Sequence, residues 1–137
     1  MGNVYAEITI KNGGDVTNVG RGIVPAEDVR SITVTALVDT GATSIIIPED
    51  MRQKLGLSVV GTRTANLAGG AKMECKITEP VLICWKDREV SCNAIALPGG
   101  KVVLLGVIPL EFMDLVVDTK RRELVPAHGD EILTLAM

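Results

Sequence analysis

The sequence predicts an all-β fold, and three observations carry that prediction. Short stretches of alternating apolar and polar residues recur, as at 5–10 and 31–38, with the period of strands that bury one face. Clusters of Gly, Pro, Asn and Asp punctuate these stretches at fairly even spacing, the pattern of a closed or sandwich-like β domain. Aromatic residues make up 2% of a chain that is 47% hydrophobic, so the core must be aliphatic; Val-Val-Leu-Leu at 102–105 and Leu-Val-Val at 115–117 suit strands. At 137 residues the chain is long enough for one domain and its core and too short for two, so residues 1–137 are expected to form one unit.

Taken in order, residues 5–10 read as a first strand and Lys11-Asn12-Gly13-Gly14-Asp15 as a turn. Val24-Pro25-Ala26-Glu27-Asp28 reads as an irregular connection. Residues 31–38 form the first long strand, with Ile32, Val34, Ala36 and Val38 on one face and Thr33, Thr35, Leu37 and Asp39 on the other. One short helix is marked over 48–55. Pro48 suits its first position, Glu49 and Asp50 its positive end and Lys54 its negative end, and Gly56 closes it. Residues 62–68 and 71–77 read as a hairpin turning tightly at Gly69-Gly70, where positive φ angles are needed. A second hairpin, 81–85 with 89–97, turns at Lys86-Asp87-Arg88; Pro98-Gly99-Gly100 precedes a strand at 102–105. A last hairpin pairs 115–118 with 123–125.

Composition excludes several function classes. A net charge of −3 and three aromatic residues (Tyr5, Trp85, Phe112) leave neither a basic footprint nor a stacking platform for nucleic acid. No apolar run approaches the length of a membrane span, and residues 1–6 lack the pattern of a signal peptide. No membrane partner and a cytoplasmic location are therefore expected. Gly2 invites myristoylation, but Ala6 stands where that motif needs Ser or Thr. Cys75, Cys84 and Cys92 are an odd number without C-x-x-C spacing, and His128 is the lone histidine. Free thiols are expected, and no metal or other cofactor. Gly-Gly at 13–14, 69–70 and 99–100 is followed by no Gly-Lys-Ser/Thr, so these are turn glycines and not phosphate loops.

The chemistry concentrates in Leu37-Val38-Asp39-Thr40-Gly41-Ala42-Thr43-Ser44-Ile45-Ile46-Ile47-Pro48. A carboxylate ends an apolar strand and is followed by five small or hydroxylated residues. Such a half-buried carboxylate needs hydrogen bonds, a counter-charge or a shared proton. Gly41 lets the backbone turn and brings amide groups to the carboxylate, the Thr40 hydroxyl can tie the turn to a neighbour, and Thr43 and Ser44 can hold it locally. Asp-Thr-Gly alone is also ordinary chemistry for an Asx turn at a strand end.

Residues 36–43, Ala-Leu-Val-Asp-Thr-Gly-Ala-Thr, resemble the active-site signature of retropepsin-like aspartic proteases. The following Ile-Ile-Ile-Pro, short helix and Leu55-Gly56-Leu57 continue the likeness. Val102-Val103-Leu104-Leu105-Gly106 resembles the family's second signature, a strand whose glycine braces the catalytic loop. The likeness runs from about residue 31 to 118. It implies the closed β-barrel of the retropepsin-like fold and one catalytic carboxylate per chain, Asp39. Thr40, Gly41, Ala42, Thr43 and Gly106 would support the loop, and Ala68, Gly69 and Gly70 would form a flap over an extended peptide or protein substrate. Two acids must meet for that chemistry. The nearest internal echo, Val117-Asp118-Thr119, is followed by Lys120 instead of glycine, so the pair implies a homodimer about a two-fold axis. Chain termini often build the dimer sheet in this family, which draws attention to residues 5–10 and 132–136. A homodimeric aspartic endopeptidase follows from the resemblance; the alternative is a catalytically weak or inactive peptide-binding or dimerisation module on the same fold.

Overall fold

The computed structural model describes residues 2–128. Strand β1 (Val4–Asn12) buries every second side chain, with Ala6, Ile8 and Ile10 inward. It pairs antiparallel with β2 (Ser31–Val38), from Val4 opposite Val38 to Lys11 opposite Ser31. Residues 5–10 thus lie in a sheet of their own subunit, and 132–136 lie outside the described residues. The expected turn at 11–15 is instead the end of β1 running into helix α1 (Gly13–Gly20). Two glycines hid that helix from a propensity reading, but Asn12 caps it: its Oδ1 accepts the Asp15 amide at 3.0 Å. Arg30 then clamps Asp15 through both carboxylate oxygens, at 2.8 and 2.9 Å, and hydrogen bonding to that guanidinium holds the Asp15 carboxyl below its usual range.

The remaining strands are β3 (Ile45–Pro48), β4 (Val59–Asn66), β5 (Lys72–Trp85), β6 (Arg88–Leu97) and β7 (Leu104–Leu105), and with β1 and β2 they make one seven-stranded sheet in the order β1-β2-β7-β3-β6-β5-β4. A further pairing of β1 with β5, from Thr9 opposite Cys84 to Asn12 opposite Val81, joins six of these strands in a ring, and β4 extends from β5 outside it. Ile8, Ile10, Ile45, Ile47, Val81, Ile83 and Leu105 fill the interior. Trp85 is the one aromatic residue buried there, with the Lys86 ammonium 4.7 Å from its ring centre. Strands β8 (Leu115–Asp118) and β9 (Glu123–Pro126) form a separate two-stranded sheet, as the sequence predicted.

Two expected hairpin arms, 71–77 and 81–85, are one 14-residue strand, β5. Its first half pairs with β4 and its second with β6, and the register shifts between Ile77 and Pro80. A proline fits a strand at such an irregularity. The polar groups exposed there are bonded: Asn93 donates to the Thr78 carbonyl at 2.7 Å and the Ala94 amide to the Thr78 hydroxyl at 3.2 Å.

In place of one short helix, the described residues hold three α-helices, α1, α2 (Glu49–Lys54) and α3 (Val107–Phe112), and one turn of 3-10 helix at Ala26–Asp28 within the expected irregular connection. Pro48 is the last residue of β3 and caps α2 from outside, and Gly56 follows the helix with φ +64°. The Asn12 side chain, otherwise an unexpected buried polar group, donates to the Leu55 carbonyl at 2.8 Å and so fastens the end of α2 to β1. Helix α3 leaves little trace in the sequence because Val-Ile-Pro-Leu-Glu-Phe is only six residues long and opens with two β-branched residues and a proline. Its signal was Pro109 in the first turn, where a missing N–H costs nothing. The expected strand at 102–105 shrinks to two residues, with Val102 exposed. No helix among the described residues is long and apolar enough to cross a membrane.

A charged cluster ties α2 to β5. Arg52 donates twice to Glu49, at 2.7 Å each, and Lys76 donates to Glu49 at 2.8 Å. The Arg52 hydrogen bonds, assisted by Lys76, pull the Glu49 carboxyl down to about 2. A depressed folded-state value stabilises the fold above about 4.5 and loses that contribution as pH falls toward 2. Glu49→Gln is therefore expected to cost about 1–2 kcal/mol at pH 7, with the gap to the parent shrinking at pH 3. Urea midpoints at the two pH values check this, and an equal gap at both would contradict it.

Candidate active site

Strand β2 leads into Asp39, and its end is positioned by β7 and the residue before it. The Leu37 amide donates to the Val103 carbonyl at 2.8 Å and the Asp39 amide to the Leu105 carbonyl at 3.0 Å. Past Asp39 the chain reverses: the Ala42 amide donates to the Asp39 carbonyl at 3.0 Å, and the Gly41 amide to Asp39 Oδ1 at 2.9 Å. The loop is then fastened to the start of α3, where the Val107 amide donates to the Ala42 carbonyl at 2.9 Å and the Ile108 amide to the Thr43 carbonyl at 3.0 Å. Gly106 sits between these bonds so tightly that a Cβ there would overlap the Ser44 carbonyl and stand 2.7 Å from the Ala42 carbonyl.

The structure therefore brings together Asp39, Thr40, Gly41, Ala42, Thr43 and Gly106. Asp39 and Ala42 are half-buried, and Thr40, Gly41 and Thr43 exposed. Asp39 has no cationic partner, and its Oδ2 accepts no hydrogen bond among the described residues. The Thr40 and Thr43 hydroxyls also find no partner there. Ser44, expected to act locally, reaches across instead: its hydroxyl donates to the Asn93 carbonyl of β6 at 2.9 Å. The amides of Val107 and Ile108 were not anticipated as loop supports, because a backbone contact leaves no mark on residue type.

Ala68, Gly69 and Gly70 lie apart from this loop, at the tip of the β4–β5 hairpin. The tip is longer than a two-residue turn: the Leu67 amide bonds the Ala71 carbonyl at 2.7 Å, and the Gly70 amide bonds the Leu67 carbonyl at 3.2 Å. Gly69 and Gly70 both have positive φ, +86° and +88°, which explains both glycines. No hydrogen bond links the tip to the Asp39 loop among the described residues.

Asp118 shares only the local part of this geometry. Its Oδ1 accepts the Lys120 and Arg121 amides at 3.0 and 3.1 Å, so it opens the β8–β9 turn as expected from its sequence. Asp39 makes the same Asx contact with Gly41; what separates the two acids is the glycine-seated brace beneath Asp39. His128 bonds Asp114 at 2.8 Å. Among the described residues no three His, Cys, Asp or Glu side chains converge as a metal-ligand set. The three cysteines are free; burial raises Cys84 and pushes Cys92 up to about 11, which makes both poor nucleophiles.

Comparison with curated proteins found no match. Residues 28–111, more than half of the chain, match the family described as gag-polyprotein putative aspartyl protease. That span holds the Asp39 loop, the hairpin tip and the Gly106 brace. The loop geometry and the extent of this match lead to one conclusion: the chain belongs to the gag-polyprotein putative aspartyl protease family, a retropepsin-like family.

Proposed function

We propose that the protein is a homodimeric aspartic endopeptidase whose dyad is Asp39 and Asp39 of a second copy. The observation that carries this reading is a half-buried carboxylate on a rigidly braced loop, with one oxygen held by Gly41 and the other unbonded. The free oxygen is the one available to a partner across a two-fold axis, and the exposed Thr40 hydroxyl is available to bond across the same axis.

In such a dimer two carboxylates in contact cannot both ionise, so they hold one proton between them. A water between them gives a proton to the ionised acid as it attacks the peptide carbonyl. The shared proton moves toward the carbonyl oxygen, and the tetrahedral intermediate collapses with protonation of the leaving amine. The β4–β5 hairpin, tipped by Ala68, Gly69 and Gly70, would close over an extended substrate and exclude water. No metal and no covalent intermediate is needed in this sequence of steps.

Activity per chain is expected to rise with protein concentration and then level off, in step with the mass in solution shifting from monomer to dimer. The rate should also peak on the acid side of neutrality and fall once the shared proton is lost. Cleavage of an unstructured peptide library, read with sedimentation over the same range, checks both. Specific activity independent of concentration in a purely monomeric sample would sink the proposal. Peptide affinity without products at any pH would favour a binding module instead.

A further inference from the structure

Hydrogen-bond parity fixes how each edge of β2 is used. Leu37 and Asp39 donate to the β7 side, to Val103 and Leu105, whereas at the other end the Asn12 amide of β1 donates to the Arg30 carbonyl. Odd-numbered residues of β2 therefore point their amide and carbonyl toward β7 and even-numbered ones toward β1. Yet β7 pairs with β2 only at Leu37 and Val38. The backbone groups of Thr33 and Thr35 consequently face an edge that no strand covers among the described residues.

A cleft of about 470 Å³ lies beside that edge, lined from β2 by Ile32 and Val34, which flank Thr33, and from the chain before β7 by Gly100 and Lys101. Ile32, Val34 and Met51 supply apolar walls, and Asp50, Lys54 and Lys101 the charge. Neither lysine has a carboxylate partner among the described residues, and two ammonium groups outweigh the one acid. Val34 precedes Asp39 by five residues, about 17 Å along an extended strand, so the cleft is separate from the Asp39 loop.

We propose that this cleft is a docking site for an extended peptide segment bearing an acidic side chain, added as a strand to the open edge of β2. Backbone bonds to Thr33 and Thr35 would give affinity, the pockets over Ile32 and Val34 would take alternate side chains, and Lys54 and Lys101 would select the acidic residue. This goes beyond the protease reading and does not depend on turnover.

The test uses the isotope-labelled full chain carrying Asp39→Asn, so that no peptide is consumed. It is titrated with an end-capped eight-residue Thr/Val peptide containing two Asp, and with the same peptide containing two Lys. The acidic peptide is expected to shift the Thr33, Thr35 and Lys101 amides and to slow their hydrogen exchange, binding at least about 5-fold more tightly than the basic one. Thr35→Pro removes a donor on the edge away from β1 without touching the ladder to β1, and should weaken binding at least about 10-fold. Should that variant not fold, Lys54→Glu with Lys101→Glu supplies the reading, reversing the preference between the two peptides. Binding that maps elsewhere, that ignores these substitutions, or that is absent overturns the proposal. So does protection of Thr33 and Thr35 that grows with protein concentration without peptide, since a second copy would then fill the edge.

Discussion

Asp39→Asn is expected to abolish peptide hydrolysis, by about 10³-fold or more, while leaving the fold intact and the proposed dimer at least as strong as before. The substitution keeps an amide oxygen where Asp39 Oδ1 now accepts the Gly41 amide at 2.9 Å, so the turn retains its bond. It also keeps the main-chain bonds to Leu105 and Ala42. What it removes is the acid able to share a proton, and with it any repulsion between two carboxylates at the axis. A dimer with one parent and one substituted chain should be as inactive as the doubly substituted one, because a single carboxylate cannot serve as acid and base together. Peptide cleavage assays and sedimentation on all three dimers decide the matter. Full activity in the mixed dimer would mean that one Asp39 suffices, and the dyad would have to be abandoned.

Gly106→Ala is expected to be the most damaging glycine-to-alanine change among the described residues, costing about 3 kcal/mol or more. The reason is contact and not backbone strain, since φ is −90° and ψ −176°, values open to any residue. The added Cβ would overlap the Ser44 carbonyl, with the Ala42 carbonyl at 2.7 Å and the Ser44 amide at 2.8 Å. All three are main-chain atoms that no rotamer change can move aside. Relief requires the loop to shift off α3, breaking the bonds from Val107 to Ala42 and from Ile108 to Thr43. Stability should therefore fall, and activity should fall further than stability alone explains, because Asp39 loses its fixed position. Denaturation midpoints with activity at a temperature where both proteins remain folded measure the two effects. A variant within 1 kcal/mol of the parent would show that the loop is softer than its contacts imply.

Several elements were legible in the sequence because their cause is local. Residues 31–38 alternate cleanly and form β2 over those residues. Gly69 and Gly70 adopt the positive φ expected of them, and Lys86-Asp87 turns between Trp85 and its partner Arg88. Asp118 holds its own turn, as its neighbours suggested. The misses have the opposite character. Helix α1 follows from Asn12 and Arg30, residues that act from outside it. Strand β5 runs on through Pro80 because β4 and β6 pair with its two halves in turn. Strand β7 is short because only Leu104 and Leu105 meet both β2 and β3.

The amino-acid order alone determined an aliphatic β protein, the turn that Asp39 opens at the end of β2 and the glycines that its turns require, since strand period and φ preference are properties of neighbouring residues. Tertiary structure decided the rest. It closed the ring through β1 and β5, seated Gly106 beneath the Asp39 loop, and, among the described residues, left the edge of β2 uncovered at Thr33 and Thr35. Those outcomes depend on main-chain groups meeting across long stretches of sequence, and a main-chain amide is the same in almost every residue.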